Sequence, residues 1–195
     1  MEYLCYNFAE LTESKVDCSV LSADEQQLSY KRRLTKALLR HELARRTGKL
    51  PQDIQFCTNE HGKPFTEGIH FNISHSENLL CMAFHHADIG IDIQKSRPAA
   101  NTDRLASRIM SPAQFEQFND SGKRIQDFYY CWAITEALVK LHGTSIWNAK
   151  NYPFVFKNNR VNLSFENNIT IQLIQPKPEY YGAIAYIHSP ENGTN

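Results

Sequence analysis

The sequence predicts an α+β chain of two similar lobes, each a helix packed on a small antiparallel sheet. Two observations carry that expectation. Each half of the 195 residues passes from a helical segment into several short β-like runs separated by turn residues, and each half holds a serine-led helix-capping box. The order of elements repeats coarsely, without an exact internal sequence repeat.

Tyr3 to Phe8 alternates aromatic and polar groups and reads as a first strand. Ser22, with Glu25 three residues on, opens a helix expected to run to about Arg46, where Gly48 and Pro51 end it. Short strands follow over Asp53–Cys57, Ile69–Ile73, Leu79–Phe84 and Asp88–Gln94, with Gly62-Lys63-Pro64 and Ser74 to Asn78 as turns. The last two strands are close enough for a hairpin through His85-His86-Ala87. Lys95-Ser96-Arg97-Pro98 breaks the pattern and sets a boundary between lobes 1–97 and 98–195. Beyond it, Ser111-Pro112 with Gln114 starts a helix, and the helix carrying Trp132 and Glu136 stops near Gly143. Tyr152–Phe156, Arg160–Phe165, Ile169–Ile174 and Tyr180–Ile187 read as strands, with turns at Asn158-Asn159 and Glu166-Asn167-Asn168.

A hydrophobic share of 42% and a charged share of 22% are those of an ordinary globular protein, and zero net charge argues against a nucleic-acid binder. No apolar run reaches the roughly 20 residues of a membrane span, and the first residues lack a basic segment leading into an apolar one, so a cytoplasmic protein is expected. The five cysteines (Cys5, Cys18, Cys57, Cys81, Cys131) are odd in number, scattered and without a C-x-x-C pair, which predicts reduced, mostly buried thiols.

Chemistry concentrates in two segments. In Asp88–Gln94, isoleucines at 89, 91 and 93 alternate with Asp88, Gly90, Asp92 and Gln94, so Asp92 and Gln94 share the face opposite the isoleucines. In the later helix Trp132, Glu136 and Lys140 fall at i, i+4 and i+8 and form one stripe. Such a strand met by such a helix can hold a hard cation and neutralise a phosphate beside it. Magnesium suits the set: it takes oxygen ligands and keeps waters and phosphate oxygens, with Asp92, Glu136 and Gln94 as candidates. Taken separately, each segment reads better as an ordinary surface strand or an i, i+4 ion pair, since such pairs are abundant and contribute only about 0.3–0.5 kcal/mol.

Phe71-Asn72-Ile73-Ser74-His75-Ser76 ends a strand in two hydroxyls and an imidazole, either a phosphate cradle or a plain polar turn. From Tyr30 to Lys49, Lys31, Arg32, Arg33, Lys36, Arg40, Arg45, Arg46 and Lys49 stand against Glu42 alone, which suggests a polyanionic partner; a solvated helix face accounts for part of the run. Lys63 adds a further charge. No zinc-ligand spacing is present.

Together and in this order the segments resemble the Sfp-type 4′-phosphopantetheinyl transferases, over roughly Lys31 to Gly143. That family's G-[IV]-D strand and W-x-x-x-E-x-x-x-K helix stand here as Gly90-Ile91-Asp92 and Trp132, Glu136, Lys140. Its Gly-Lys-Pro turn, Phe-Asn-Ile-Ser-His-Ser segment and Ser-Pro helix start are matched by 62–64, 71–76 and 111–112. The resemblance implies a monomeric pseudo-dimer of two α+β lobes with coenzyme A in the cleft. The implied reaction is magnesium-dependent transfer of 4′-phosphopantetheine from coenzyme A to a serine of an apo carrier protein, releasing 3′,5′-ADP. It implies Asp92 and Glu136 as magnesium ligands and Lys140 at the phosphate. The nucleotide phosphates fall to Ser74, His75, Lys63 and the basic helix (Lys31, Arg32, Lys36, Arg40). Neither nucleic acid nor a membrane is an expected partner.

Where many members carry a second acid, this chain has Gln94, which removes one negative charge from the site. That substitution keeps a second reading open, a non-catalytic coenzyme A or nucleotide-binding protein of the same fold. An RNA-binding module is disfavoured by neutrality and by the lack of an RNP-type aromatic motif.

Overall fold

The structure, a computed structural model, describes residues 1–97, 102–120, 122 and 124–188. Strand β1 (Glu2–Asn7) leads through α1 (Ala23–Gln26) to α2 (Tyr30–Thr47), then β2 (Cys57–Thr58), β3 (Pro64–Phe65), β4 (His70–Ser76) and β5 (Leu79–His85). Strand β6 (Ile89–Lys95) is followed by α3 (Thr102–Ile109), α4 (Pro112–Asp120) and α5 (Ile125–His142). Strands β7 (Phe154–Lys157), β8 (Arg160–Leu163), β9 (Ile169–Ile174) and β10 (Tyr180–Ile187) complete it. The result is a mixed fold of helices and small antiparallel sheets.

Two three-stranded sheets, β1-β5-β4 and β6-β10-β9, dominate. Each follows the same route: a first strand, a long helix, a short hairpin, then a pair of strands of which the last inserts beside the first. Both helices stop on a left-handed glycine, Gly48 (φ 70°) and Gly143 (φ 62°), where a side chain would be strained. One face of the first sheet (Leu4, Phe71, Leu80, Met82, Phe84) packs on Leu39 and Leu43 of α2. Its other face meets Ile89, Ile91, Ile93 and Ile184 of the second sheet. The outer face of the second sheet packs Ala183 and Ala185 against Ala133, Ile134 and Ala137 of α5. Burying each large side chain in these layers contributes about 1.5–3 kcal/mol.

Several expectations need correction. The helix expected from Ser22 is two: its capping box forms, but α1 ends after one turn and α2 restarts at Tyr30. The stretch expected as a strand over 53–57 gives a 3-10 turn at Pro51–Asp53 and pairing only at Cys57–Thr58. No β5–β6 hairpin exists. Strand β5 is already flanked by β1 and β4, so β6 pairs with β10 from Ile89↔Tyr186 to Lys95↔Tyr180. The Asp92 strand therefore belongs to the sheet of the C-terminal half rather than to a lobe ending at 97; Pro98, part of the expected boundary, lies outside the described residues. The expected Ser-His-Ser loop is strand, since β4 pairs with β5 through Ser76↔Leu79.

The thiols are not all reduced. Cys5 and Cys81 face each other across β1 and β5, 4.2 Å apart at Cα, and form a disulfide; Cys18, Cys57 and Cys131 are free. Partners 76 residues apart in sequence become neighbours only through strand pairing, which cysteine spacing does not encode.

Candidate active site

Strand β6 turns its isoleucines into the core between the sheets and Gly90 and Asp92 toward α5. Gly90 is dictated by that approach: a Cβ there would lie 2.1 Å from the Ala137 carbonyl oxygen and 2.5 Å from the Leu141 nitrogen. With no side chain at 90, the helix backbone lies directly on the strand and brings Glu136 and Lys140 to Asp92.

Asp92 is 3% exposed. Its Oδ1 accepts hydrogen bonds from Lys140 Nζ (2.7 Å) and Ser74 Oγ (2.9 Å), and its Oδ2 from Gln94 Nε2 (2.8 Å). Lys140 also donates to the Ile91 carbonyl. A carboxylate this buried is tolerable because it is paired and hydrogen-bonded; removing one partner of such a pair costs about 3–5 kcal/mol. Gln94 shares the face of Asp92 as expected, but it meets the carboxylate through its amide nitrogen. The reverse orientation would set its carbonyl oxygen against an anion.

Glu136 is half-buried one turn before Lys140. Burial pushes its carboxyl above the ordinary range and the negative Asp92 pushes it further, while Lys140 and a hydrogen bond from Trp132 pull it back. Two carboxylates thus face one ammonium. That surplus of negative charge is what a hard cation relieves, and the donors are the oxygens such an ion prefers. Among the described residues no group of three or more His, Cys, Asp or Glu assembles for a metal. A cation held here would draw its remaining ligands from water or a phosphate.

A cavity of about 210 Å³ opens beside Lys140, lined also by Lys63, Asn72, Gly143 and Thr144. Lys63 Nζ donates to the last-turn carbonyl of Leu141 (2.7 Å) and to Asp88 (3.3 Å), so it ties the β2–β3 turn to the end of α5 while lining this space.

The remaining expected residues separate. Ser74 is turned inward, its oxygen accepting from the Ile93 amide and its hydrogen given to Asp92, so it has nothing to offer a nucleotide phosphate. Arg40, 7% exposed, is held by Glu25 and by the Pro51 and Ile54 carbonyls. It fixes α1 and the loop after α2, so its guanidinium is occupied and does not serve the phosphate role expected of it. Lys36 lies over the Phe56 ring and beside Glu25. Lys31 reaches the Glu77 carbonyl and Asn78 at the β4–β5 turn, two residues from exposed His75; Arg32 beside it is exposed. Asn72 and Ser76 join the two sheets and were missed, although their alternation with Phe71 and Ile73 marks a polar strand face.

The model of the 4′-phosphopantetheinyl transferase superfamily matches residues 88–187, just over half of the 195, and the chain belongs to that family. The match begins one residue before β6. The chain is 32% identical over 118 residues to 4′-phosphopantetheinyl transferase Sfp of Bacillus subtilis (strain 168), covering 58% of this chain and 52% of that protein. It is 33% identical over 128 residues to 4′-phosphopantetheinyl transferase HetI of Nostoc sp. (strain PCC 7120), with 60% and 54% covered. To 4′-phosphopantetheinyl transferase AcpT of Escherichia coli O157:H7 it is 27% identical over 150 residues, with 73% of each covered. The chain spans about half the length of the Sfp and HetI proteins.

Proposed function

We propose that this protein transfers the 4′-phosphopantetheine group of coenzyme A to a serine of an apo acyl or peptidyl carrier protein, releasing 3′,5′-ADP. One observation carries the reading: Asp92, Glu136 and Lys140 converge from β6 and α5 beside the cavity that Lys140 and Lys63 line. In the proposed step the serine oxygen attacks the phosphorus bearing the pantetheine arm. The bond from that phosphorus to the bridging oxygen breaks, and the electron pair leaves on the phosphate of 3′,5′-ADP. Glu136, whose carboxyl burial holds above its ordinary range, is suited to take the serine proton. Lys140 offers its charge to the oxygens on which negative charge builds.

Magnesium belongs to the proposal, with Asp92 and Glu136 as its protein ligands; when bound it would neutralise and orient the diphosphate. Lys31, which reaches the β4–β5 turn, is proposed for the nucleotide phosphates together with the exposed Arg32 and His75, and with Lys36 and Lys63. The repeated strand–helix–hairpin–strand–strand order supports a pseudo-dimer of two lobes that works as a monomer, divided between His85 and Ile89. No helix among the described residues is long and apolar enough to cross a membrane. A cytoplasmic location follows from the proposed substrate, since coenzyme A is used inside cells.

The test is to incubate the protein with coenzyme A, magnesium and an apo carrier and to weigh the carrier. A mass gain of one phosphopantetheine supports the reading. The second reading, binding without catalysis, rests on Gln94 occupying Asp92 Oδ2 with an amide. Coenzyme A binding by calorimetry with an unchanged carrier mass would favour it.

A further inference from the structure

Strands β4 and β6 lie side by side in the same direction yet are not ladder partners in either sheet. Side chains take the place of the ladder. The amides of Ile91, Ile93 and Lys95 donate to Asn72 Oδ1 (2.9 Å), Ser74 Oγ (3.2 Å) and Ser76 Oγ (3.0 Å), one rung at every second residue. The middle rung differs from its neighbours. With its oxygen fixed by the Ile93 amide, the Ser74 hydroxyl directs its hydrogen to Asp92 Oδ1.

We propose that Ser74 is the positioning residue of the Asp92 carboxylate, an inference that rests on the metal-dependent reading above. Oδ1 is held from β4 by Ser74 and from α5 by Lys140, so the carboxylate is gripped from two separate elements. Oδ2 meets only the Gln94 amide among the described residues, and Gln94 is a neighbour on the same strand whose side chain can rotate aside. Ser74 therefore selects Oδ2 as the oxygen presented to a cation. A hydroxyl that joined the sheets and did nothing else would be equivalent to Ser76.

That equivalence supplies the control. Ser74→Ala and Ser76→Ala each remove one rung, and both are expected to lower the melting temperature. Mn²⁺ serves as the probe, its binding followed by electron paramagnetic resonance on the intact protein with coenzyme A present. Ser74→Ala is expected to weaken Mn²⁺ binding about tenfold, as loss of a hydrogen bond to a charged group implies. It should also raise the magnesium needed for half-maximal transfer while leaving the KM for coenzyme A within about twofold. Ser76→Ala should do neither, and Ser74→Thr, which keeps the hydroxyl, should restore Mn²⁺ affinity.

Equal Mn²⁺ affinity in Ser74→Ala and wild type, or equal weakening by Ser76→Ala, overturns the proposal. If Ser74→Ala does not fold, Ser74→Cys decides, because a thiol is a poor donor; wild-type affinity in that variant would also overturn it. A wild type that binds Mn²⁺ yet modifies no carrier refutes the transfer reading alone. Failure of the wild type to bind Mn²⁺ with coenzyme A refutes both.

Discussion

The Gln94 side chain donates its amide hydrogen to Asp92 Oδ2 at 2.8 Å, so residue 94 is a partner of the aspartate and adds no further anion. Replacing it reverses that relationship. In Gln94→Glu, two carboxylates would stand together beside Glu136 and raise the site's demand for a cation. The magnesium concentration for half-maximal transfer should fall about tenfold, a difference of ~1.4 kcal/mol. Without magnesium the variant should melt below wild type, because the new charge is half-buried among like charges. Identical magnesium titrations for wild type, Gln94→Glu and Gln94→Ala would place residue 94 outside the metal's influence.

Lys140 and Asp92 form a pair in which the aspartate is almost wholly buried. Asp92→Asn should abolish transfer and also destabilise the fold by about 3–5 kcal/mol, because the ammonium is left without its anion. Adding Lys140→Met should recover part of that loss. Urea denaturation of the two single variants and the double variant measures the coupling, and strict additivity would mean that the pair contributes nothing.

Gly90→Ala tests the contact between strand and helix. The added methyl would lie 2.1 Å from the Ala137 carbonyl oxygen, so α5 must shift bodily. A loss of about 3 kcal/mol is expected, with a fall in kcat as Glu136 and Lys140 move away from Asp92. Wild-type stability and turnover would show that the helix does not rest on the strand as described.

The Cys5–Cys81 disulfide closes a span of 76 residues in the first sheet. Reduction should lower stability by about 2–4 kcal/mol. The readout is a melting curve with and without dithiothreitol, set against a Cys5→Val/Cys81→Val variant that should not respond to the reductant. An equal response in both would assign the effect elsewhere.

His85 is buried, with Nε2 on the Ile187 carbonyl and Nδ1 without a partner among the described residues. Burial holds its pKa below the ordinary value near 6.5, and neighbouring His86 and His188 lower it further. The folded state therefore binds fewer protons than the unfolded state just below that value. The contribution of His85 is complete above about pH 6.5 and is lost as pH falls through the folded-state pKa. His85→Gln keeps a donor for Ile187 but cannot titrate, so its stability should vary less with pH than wild type between pH 7 and 5. Parallel pH curves for the two proteins would show that His85 does not titrate on unfolding.

Much of the site could be read from the order of residues. Gly90-Ile91-Asp92 and the Trp132, Glu136, Lys140 stripe are set by local periodicity, two residues along a strand and about 3.6 along a helix, which fixes the side chains that share a face. The capping boxes at Ser22 and Ser111 are equally local, and both form. What one face meets is not local. Whether β6 pairs with β5 or with β10 depends on which strand edges remain free once the chain has collapsed, and β5 has none. The tertiary structure alone turned Arg40 into a buried tie for Glu25 and joined Cys5 to Cys81. It likewise made Ser74 a rung between sheets that grips the Asp92 carboxylate. A short side chain finds its hydrogen-bond partner through contacts between strands 19 residues apart, and sequence periodicity carries no term for that distance.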